Sequence, residues 1–249
     1  MPARKKTTTK KRGLFISFEG GEGAGKSTQT DLLLKKLMAV GEPVILVKEP
    51  GSSPLGTRLR PLLKGEVSIT DKAEILLFLA ARAELVTTVV APALDQGVNV
   101  IADRFSDSTF AYQGMNKGFS HGLITSLNRF ATAGLTPDIT FLLQLPPEES
   151  MRRTRPEVTL AGALGGVRQA EADQMKFESK PLAFHRKLAE RYRWLAGREP
   201  DRWRVVDGMQ SVDEIAKEVW EHVNGSLRKA KRSVRRRSGV RGDGKPRLI

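Results

Sequence analysis

Gly20-Gly21-Glu22-Gly23-Ala24-Gly25-Lys26-Ser27 fits the spacing G-x-x-x-x-G-K-[ST]. Residues of these types at this spacing make a phosphate cradle. Glycines let successive backbone N–H groups turn inward around phosphate oxygens, and a helix N-terminus adds partial positive charge. Lys26 is placed to reach the β- and γ-phosphates of a nucleoside triphosphate, and Ser27 to offer a hydroxyl to Mg²⁺. Glu22 is unusual in an anion cradle. Its carboxylate repels phosphate unless it faces a sugar hydroxyl, a hydrated metal or open solvent.

Two further clusters carry chemistry. Lys48-Glu49-Pro50-Gly51 reads as a charged turn, because Pro50 and Gly51 break the chain direction. Asp103-Arg104 joins an acid able to hold Mg²⁺ to a planar guanidinium fork suited to phosphate; a local surface ion pair is the plainer alternative. Ser106 to Gly114 packs hydroxyls, an aromatic ring and an amide into nine residues. That mixture suits reading the polar edge of a base, and equally a capped helix start.

These residues need a scaffold, and the hydrophobic pattern supplies one. Leu14–Phe18, Val44–Val47, Val98–Ala102, Ile139–Leu145 and Trp203–Val206 read as five short strands. Helical periodicity separates them, as in Leu33, Leu34, Leu37 and Met38 and again from Asp71 to Val90. Strands alternating with helices predict an α/β fold with a five-stranded parallel sheet flanked by helices in three layers. Ligands of such sheets gather at the carboxyl ends of the strands. Each cluster above directly follows a predicted strand.

Composition narrows the class further. The 249 residues suffice for one α/β domain, and the chain has no cysteine, which excludes disulfides and cysteine-ligated zinc and suits a reducing, cytoplasmic setting. No apolar run of about 20 residues and no apolar segment after the basic N-terminus are present, so neither a membrane span nor a secretory signal is expected. The net charge of +14 is unevenly spread: residues 1–12 carry +6 and residues 228–249 carry +9, which leaves about −1 for residues 13–227. Residues 1–12 and 228–249 are expected to be basic disordered tails around one catalytic domain. Contact of the tails with nucleic acid is one reading of them, and plain solvation is the other.

Taken together, the motifs resemble those of the thymidylate kinase family of bacterial type, whose members are P-loop nucleoside monophosphate kinases. The resemblance covers roughly residues 13–223. It rests on Phe18-Glu19-Gly20 through Ser27-Thr28, on Glu49-Pro50-Gly51 with Pro54-Leu55-Gly56, and on Leu76-Leu77-Phe78-Leu79-Ala80-Ala81-Arg82. It continues through Asp103-Arg104-Phe105, Ala111-Tyr112-Gln113-Gly114, Thr136-Pro137-Asp138, Phe184-His185 and Val206-Asp207-Gly208.

The resemblance implies transfer of the γ-phosphate of ATP to dTMP, with Mg²⁺ as cofactor and a homodimeric assembly. It implies ATP binding by Gly20 to Thr28, with Lys26 catalytic. Phe78 looks like the aromatic that stacks on thymine, and Arg82 like the residue bonding the base's carbonyl edge. Thr109, Tyr112 and Gln113 fall where members contact the thymidine, and Glu49 lies in the same acceptor region. Glu22 looks like the acid facing the sugar 3′-hydroxyl. Arg104 looks like the clamp on the acceptor phosphate, and Asp103 like a magnesium-linked acid beside Ser27. Family members also carry a mobile lid, here about residues 151–178, that supplies a catalytic arginine.

Three departures stand out. Met175-Lys176 occupies a position where the family usually shows Asp-Arg, Gln144 replaces a common Asp, and Lys48 replaces a usual Arg. Lysine is a point charge and cannot fork onto two oxygens. Arg153 is therefore the first choice for the lid cation, ahead of Arg155, Arg168 and Lys176. The rival readings are a deoxynucleoside kinase, in which Glu49 serves as base, another nucleoside monophosphate kinase, and, more remotely, a nucleic-acid-binding ATPase that uses the basic tails.

Overall fold

The computed structural model describes residues 12–115, 119–154, 177 and 180–239. Five parallel strands form one sheet: β1 (Phe15–Glu19), β2 (Val44–Lys48), β3 (Asn99–Asp103), β4 (Ile139–Gln144) and β5 (Trp203–Asp207), in spatial order β2-β3-β1-β4-β5. The five predicted strands are recovered to within a residue or two at each end. All of β1 and β3 and nearly all of β4 are buried, as expected for central strands covered on both faces. The register pairs Phe18 with Asp103 and with Phe141, which brings the ends of β1, β3 and β4 to one edge.

Helices cover both faces. On one, α1 (Lys26–Ala39) and α9 (Val212–Gly239) pack Leu33, Leu37, Ile215, Val219, Val223 and Leu227 onto Ile16, Phe18, Phe141 and Val206. On the other, Leu85, Val86, Val90 and Leu94 cover Phe15, Val100 and Ala102. Those four residues lie in one continuous helix from Asp71 to Asp95, formed by α3 (Asp71–Leu85), a π-helical turn (Val86–Val90) and α4 (Ala91–Asp95). Pro92 has no N–H to give to the carbonyl four residues back, and the π turn lies immediately before it. By length and apolarity alone this helix could cross a bilayer. Here Ile75, Leu79, Leu85, Val86, Val90 and Leu94 are buried in the core while Leu76 is exposed, and the helix carries the buried Arg82.

The remaining helices build the rim of the site. They are α2 (Pro54–Lys64), capped by Ser53; α5 (Ser106–Tyr112); α6 (His121–Ala131), capped by Ser120; α7 (Pro147–Thr154); and α8 (Leu182–Arg198). A third cluster packs Leu188, Tyr192, Leu195 and Ala196 of α8 against Ala111, Tyr112, Leu142 and Trp203.

One expectation is corrected at the C-terminus. The sequence reading ends the body at residue 227 and begins a disordered tail at Arg228. Instead, α9 continues without a break to Gly239. A reciprocal cap starts it, with Ser211 Oγ accepting from the Glu214 N–H and Glu214 accepting from the Ser211 N–H. Four buried residues at four-residue spacing, Ile215 to Leu227, then anchor it. With nucleation already met, each added turn needs only propagation. Charge composition alone missed this continuity. Residues 1–11, 116–118, 155–176, 178–179 and 240–249, among them most of the expected lid at 151–178, lie outside the described residues.

Candidate active site

β1 delivers the phosphate loop, and α1 begins at its end. Gly20 has φ of +141°, and a Cβ there would stand 2.6 Å from the Leu143 carbonyl oxygen. Gly23 has φ of +69° and would place a Cβ 3.0 Å from the Ser150 carbonyl oxygen and 3.2 Å from Arg153 Cβ. Only glycine fits both the backbone angle and the space. Lys26 is buried, and its ammonium donates to the carbonyls of Gly21 at 2.7 Å and Gly20 at 3.2 Å. Burial, with Arg104 nearby, brings its pKa down to about 8. Ser27 and Thr28 are exposed at the mouth of the loop, and Ala24 packs into the core.

Asp103 ends β3 beside the loop. Ser27 Oγ donates to its Oδ2 at 2.6 Å. The Lys48 ammonium, from the end of β2, lies 3.3 Å from both Asp103 Oδ2 and Ser27 Oγ. Burial works against the Asp103 charge, but Lys26 and Lys48 outweigh it and hold the carboxyl below its usual range. A hydroxyl and a low-pKa carboxylate, with a cation already drawn between them, form a donor set that fits a hard divalent ion. Such ions take one or two protein oxygens and complete their shell with phosphates and water. Among the described residues no cluster of three metal-ligating side chains exists, so oxygens of a bound phosphate and water would complete the shell.

Arg104 follows with φ of +73°, a left-handed angle uncommon outside glycine. This turn swings the guanidinium toward the phosphate loop. It donates to Glu22 at 2.8 Å, to the Gly20 carbonyl at 3.1 Å, and to Ser108 Oγ and Tyr192 OH at 3.3 Å each. Its fork also lies over the Tyr112 ring, 5.0 Å from the centroid. Tyr112 OH donates to Glu22 at 2.9 Å. Burial opposes ionisation of Glu22, yet Arg104 and Lys26 prevail and set its pKa at about 2. Glu22 therefore points its side chain to the Arg104 side of the loop. Its backbone carbonyl meanwhile accepts a bond from the Ser150 hydroxyl of α7.

Beneath Arg104 lies a buried carboxylate that sequence reading passed over. Glu19, the last residue of β1, accepts from the Phe105 N–H at 2.8 Å, Ser108 Oγ at 2.6 Å and Tyr192 OH at 3.0 Å. Full burial, with Asp107 nearby, raises its pKa to about 7. In sequence Glu19 looks like a strand residue, and Tyr192 like one more core position on the α8 stripe with His185 and Leu188. Their partnership joins residues 173 positions apart.

The expected base-reading residues form a second network. On α3, Arg82 is fully buried and Phe78, one turn earlier, is half-buried and outside the core clusters. Arg82 Nε donates to Glu49 Oε2 at 2.8 Å, and Nη2 donates to the same carboxylate and to the Phe105 carbonyl. Its Nη1 donates to Thr109 Oγ1 at 2.7 Å and Asn128 Oδ1 at 2.8 Å. All five N–H groups of the guanidinium thus have partners within the protein. Asn128 on α6 was not foreseen, because a lone Asn on an amphipathic helix carries no signal. Gln113 donates to Glu74 at 2.9 Å, which ties the end of α5 to α3.

Arg153, on α7, donates to Glu149 at 2.7 Å and to the Gly208 carbonyl at 3.3 Å. It packs against Gly23 of the phosphate loop. Arg155, Arg168 and Lys176 lie outside the described residues.

Similarity to known proteins agrees with this arrangement. The sequence model of the family described as Thymidylate kinase matches residues 18–219. The chain is 40% identical to the thymidylate kinase of Thermomicrobium roseum over 219 residues, covering 88% of this chain and 98% of the relative. It is also 40% identical to that of Deinococcus radiodurans over 214 residues, covering 86% and 97%. Among solved structures, thymidylate kinase from Ehrlichia chaffeensis superposes with a TM-score of 0.65 at 28% identity, covering 86% of this chain and 99% of that one. A phosphate loop faced by an Asp-Arg pair, on a sheet of this order, accompanies a family match across the whole body, and the chain belongs to the thymidylate kinase family.

Proposed function

We propose that the protein transfers the γ-phosphate of ATP to dTMP, giving ADP and dTDP. The observation that carries the reading is the meeting of Lys26, Arg104 and Glu22 at one loop: Lys26 and Arg104 both donate to the Gly20 carbonyl, at 3.2 and 3.1 Å, and Arg104 donates to Glu22 at 2.8 Å. Two anionic substrates must be brought together, and both cations lie where phosphates of donor and acceptor would meet. The attacking atom is a phosphate oxygen, anionic near neutral pH, so no general base is needed. Catalysis then rests on alignment and charge neutralisation. Lys26 exchanges its loop carbonyls for phosphate oxygens. Arg104 turns its fork to the acceptor phosphate, with Glu22 receiving the sugar hydroxyl. Ser27 and Asp103 would hold Mg²⁺, which would supply positive charge to offset that of the donor phosphates. Arg153 is the lid cation.

Phe78 offers the stacking face for the base. Arg82, one turn further along α3, bonds the carbonyl edge of the base by exchanging one of its present partners, Thr109 or Asn128, while it holds Glu49. This bears on the deoxynucleoside kinase alternative. Glu49 is bonded by Arg82 through two of its guanidinium nitrogens, so it is not free to take a proton from a hydroxyl acceptor. The reading also includes a homodimer and a cytoplasmic setting.

The test is ADP release from ATP·Mg²⁺ with dTMP, dUMP, dCMP, dGMP, CMP and thymidine offered separately. Strong preference for dTMP is expected. Turnover of thymidine without dTMP would overturn the acceptor assignment and require Glu49 to leave Arg82.

A further inference from the structure

The register of the sheet sets Lys48 beside Asp103. Strand β2 runs parallel to β3 with these two residues paired, and side chains at paired positions share one face of a sheet. The backbone at this point is held on both sides. The Lys48 N–H donates to Ser52 Oγ at 2.9 Å, and the Glu49 N–H donates to the Asp103 carbonyl at 3.1 Å. The side chain is the part free to move. It is 50% exposed, against 5% for Asp103, and its ammonium rides on a flexible stem.

Where that ammonium rests decides what else can enter. It lies 3.3 Å from Asp103 Oδ2 and 3.3 Å from Ser27 Oγ. The Ser27 hydroxyl gives its proton to Asp103 Oδ2 at 2.6 Å, so a lone pair of Ser27 Oγ is what the lysine takes up. A hard divalent ion binds through oxygen lone pairs of the same two side chains. The ammonium and the metal cannot share them, because like charges at contact distance repel. The neighbouring cations are engaged elsewhere. Lys26 donates to the carbonyls of Gly20 and Gly21, and Arg104 to Glu22 and the Gly20 carbonyl. Lys48 is thus the cation bonded to the Ser27–Asp103 pair.

We propose that Lys48 is a tethered counter-ion that competes with the divalent metal for Ser27 and Asp103, so that the metal gains this position only by displacing it. The inference rests on the reading of Ser27 and Asp103 as the metal's holders and adds a rival for them within the chain. In the free enzyme the lysine neutralises a buried carboxylate. A metal ion arriving alone must break that ion pair with two protein oxygens as its return. A metal ion arriving on a nucleotide also brings phosphate oxygens, which Lys26 and the loop N–H groups attract. Metal binding is thereby made conditional on nucleotide. Lysine suits the task better than arginine would. A guanidinium fork grips a carboxylate through two N–H groups, whereas an ammonium is a point charge that solvent readily receives.

The experiment titrates Mn²⁺ into the full chain without nucleotide and follows the free ion by electron paramagnetic resonance. Lys48→Met should tighten Mn²⁺ binding by about 5-fold or more, the scale of a partly exposed ion pair. Lys48→Arg keeps the charge and should bind no more tightly than wild type. Asp103→Asn should weaken binding. A merely structural role for Lys48 would not tighten metal binding when the side chain is removed, and thermal unfolding of Lys48→Met checks that the fold is intact. If Asp103→Asn weakens binding while Lys48→Met leaves it unchanged, the competition is overturned and the metal position stands. Equal tightening by Lys48→Met and Lys48→Arg, or no measurable binding by Lys48→Met, also overturns the competition. Indifference of Mn²⁺ affinity to Asp103→Asn overturns the metal position itself.

Discussion

Replacing Arg82 by Leu tests the buried network most directly. The substitution removes every bond Arg82 makes and leaves the Glu49 carboxylate sealed at 6% exposure without its counter-charge. Breaking one partner of a buried pair costs about 3–5 kcal/mol. For a domain of this size that lowers Tm by roughly 6–20 °C. The loss should depend on pH. Burial already pushes the Glu49 carboxyl above its usual value, and Arg82 opposes the push. Without Arg82 the folded pKa rises further above the unfolded one. The folded variant then gains stability by binding a proton, and that gain disappears as pH rises through the folded pKa. Urea unfolding should therefore show Arg82→Leu losing more at pH 8 than at pH 5.5. Adding Glu49→Gln should restore part of the loss and remove most of its pH dependence. A loss below about 1 kcal/mol, or equal losses at both pH values, would refute a buried charge pair as the anchor of this site.

Arg153→Ala should lower kcat by about 10³, the scale of a transition-state arginine, and a drop under tenfold in steady-state turnover would return the role to another lid cation. Glu19 has a folded pKa of about 7 against 4.5 unfolded, so its stabilising contribution is complete below pH 4.5 and fades through pH 7, by about 3 kcal/mol in all. Glu19→Gln should accordingly flatten the fall in unfolding free energy between pH 5 and 8; parallel curves for variant and wild type would contradict it. Tyr192→Phe deletes only the hydroxyl between Glu19 and Arg104. It should cost about 1 kcal/mol of stability and raise KM for dTMP several-fold while leaving KM for ATP within twofold, and equal changes in both constants would argue against positioning of Arg104.

Legibility in the sequence followed locality. The phosphate loop is readable because eight consecutive residues carry the whole device. The strands are readable because full burial demands uninterrupted apolar runs, as in Leu14–Phe18. Helical spacing correctly sets Phe78 one turn before Arg82. It cannot reveal that Glu49, 33 residues earlier, takes up the guanidinium. Nor can it show that Glu19, Ser108 and Tyr192 converge, since each has an ordinary local role. At the C-terminus, composition favoured disorder. The Ser211–Glu214 cap and the stripe ending at Leu227 instead carry the helix onward.

Glu22 belongs to three devices at once. Its peptide is part of the nucleotide cradle, its carbonyl fastens α7 through Ser150, and its side chain engages Arg104 and Tyr112. Mutational tolerance there should be set by all three demands together, so position 22 should be far more constrained than its partly exposed location suggests. Across descendants of this sequence, change at 22 should travel with compensating change at 104, 112 or 150. A drift in acceptor preference would then begin as a negotiation among these four positions, with the lid drawn into it.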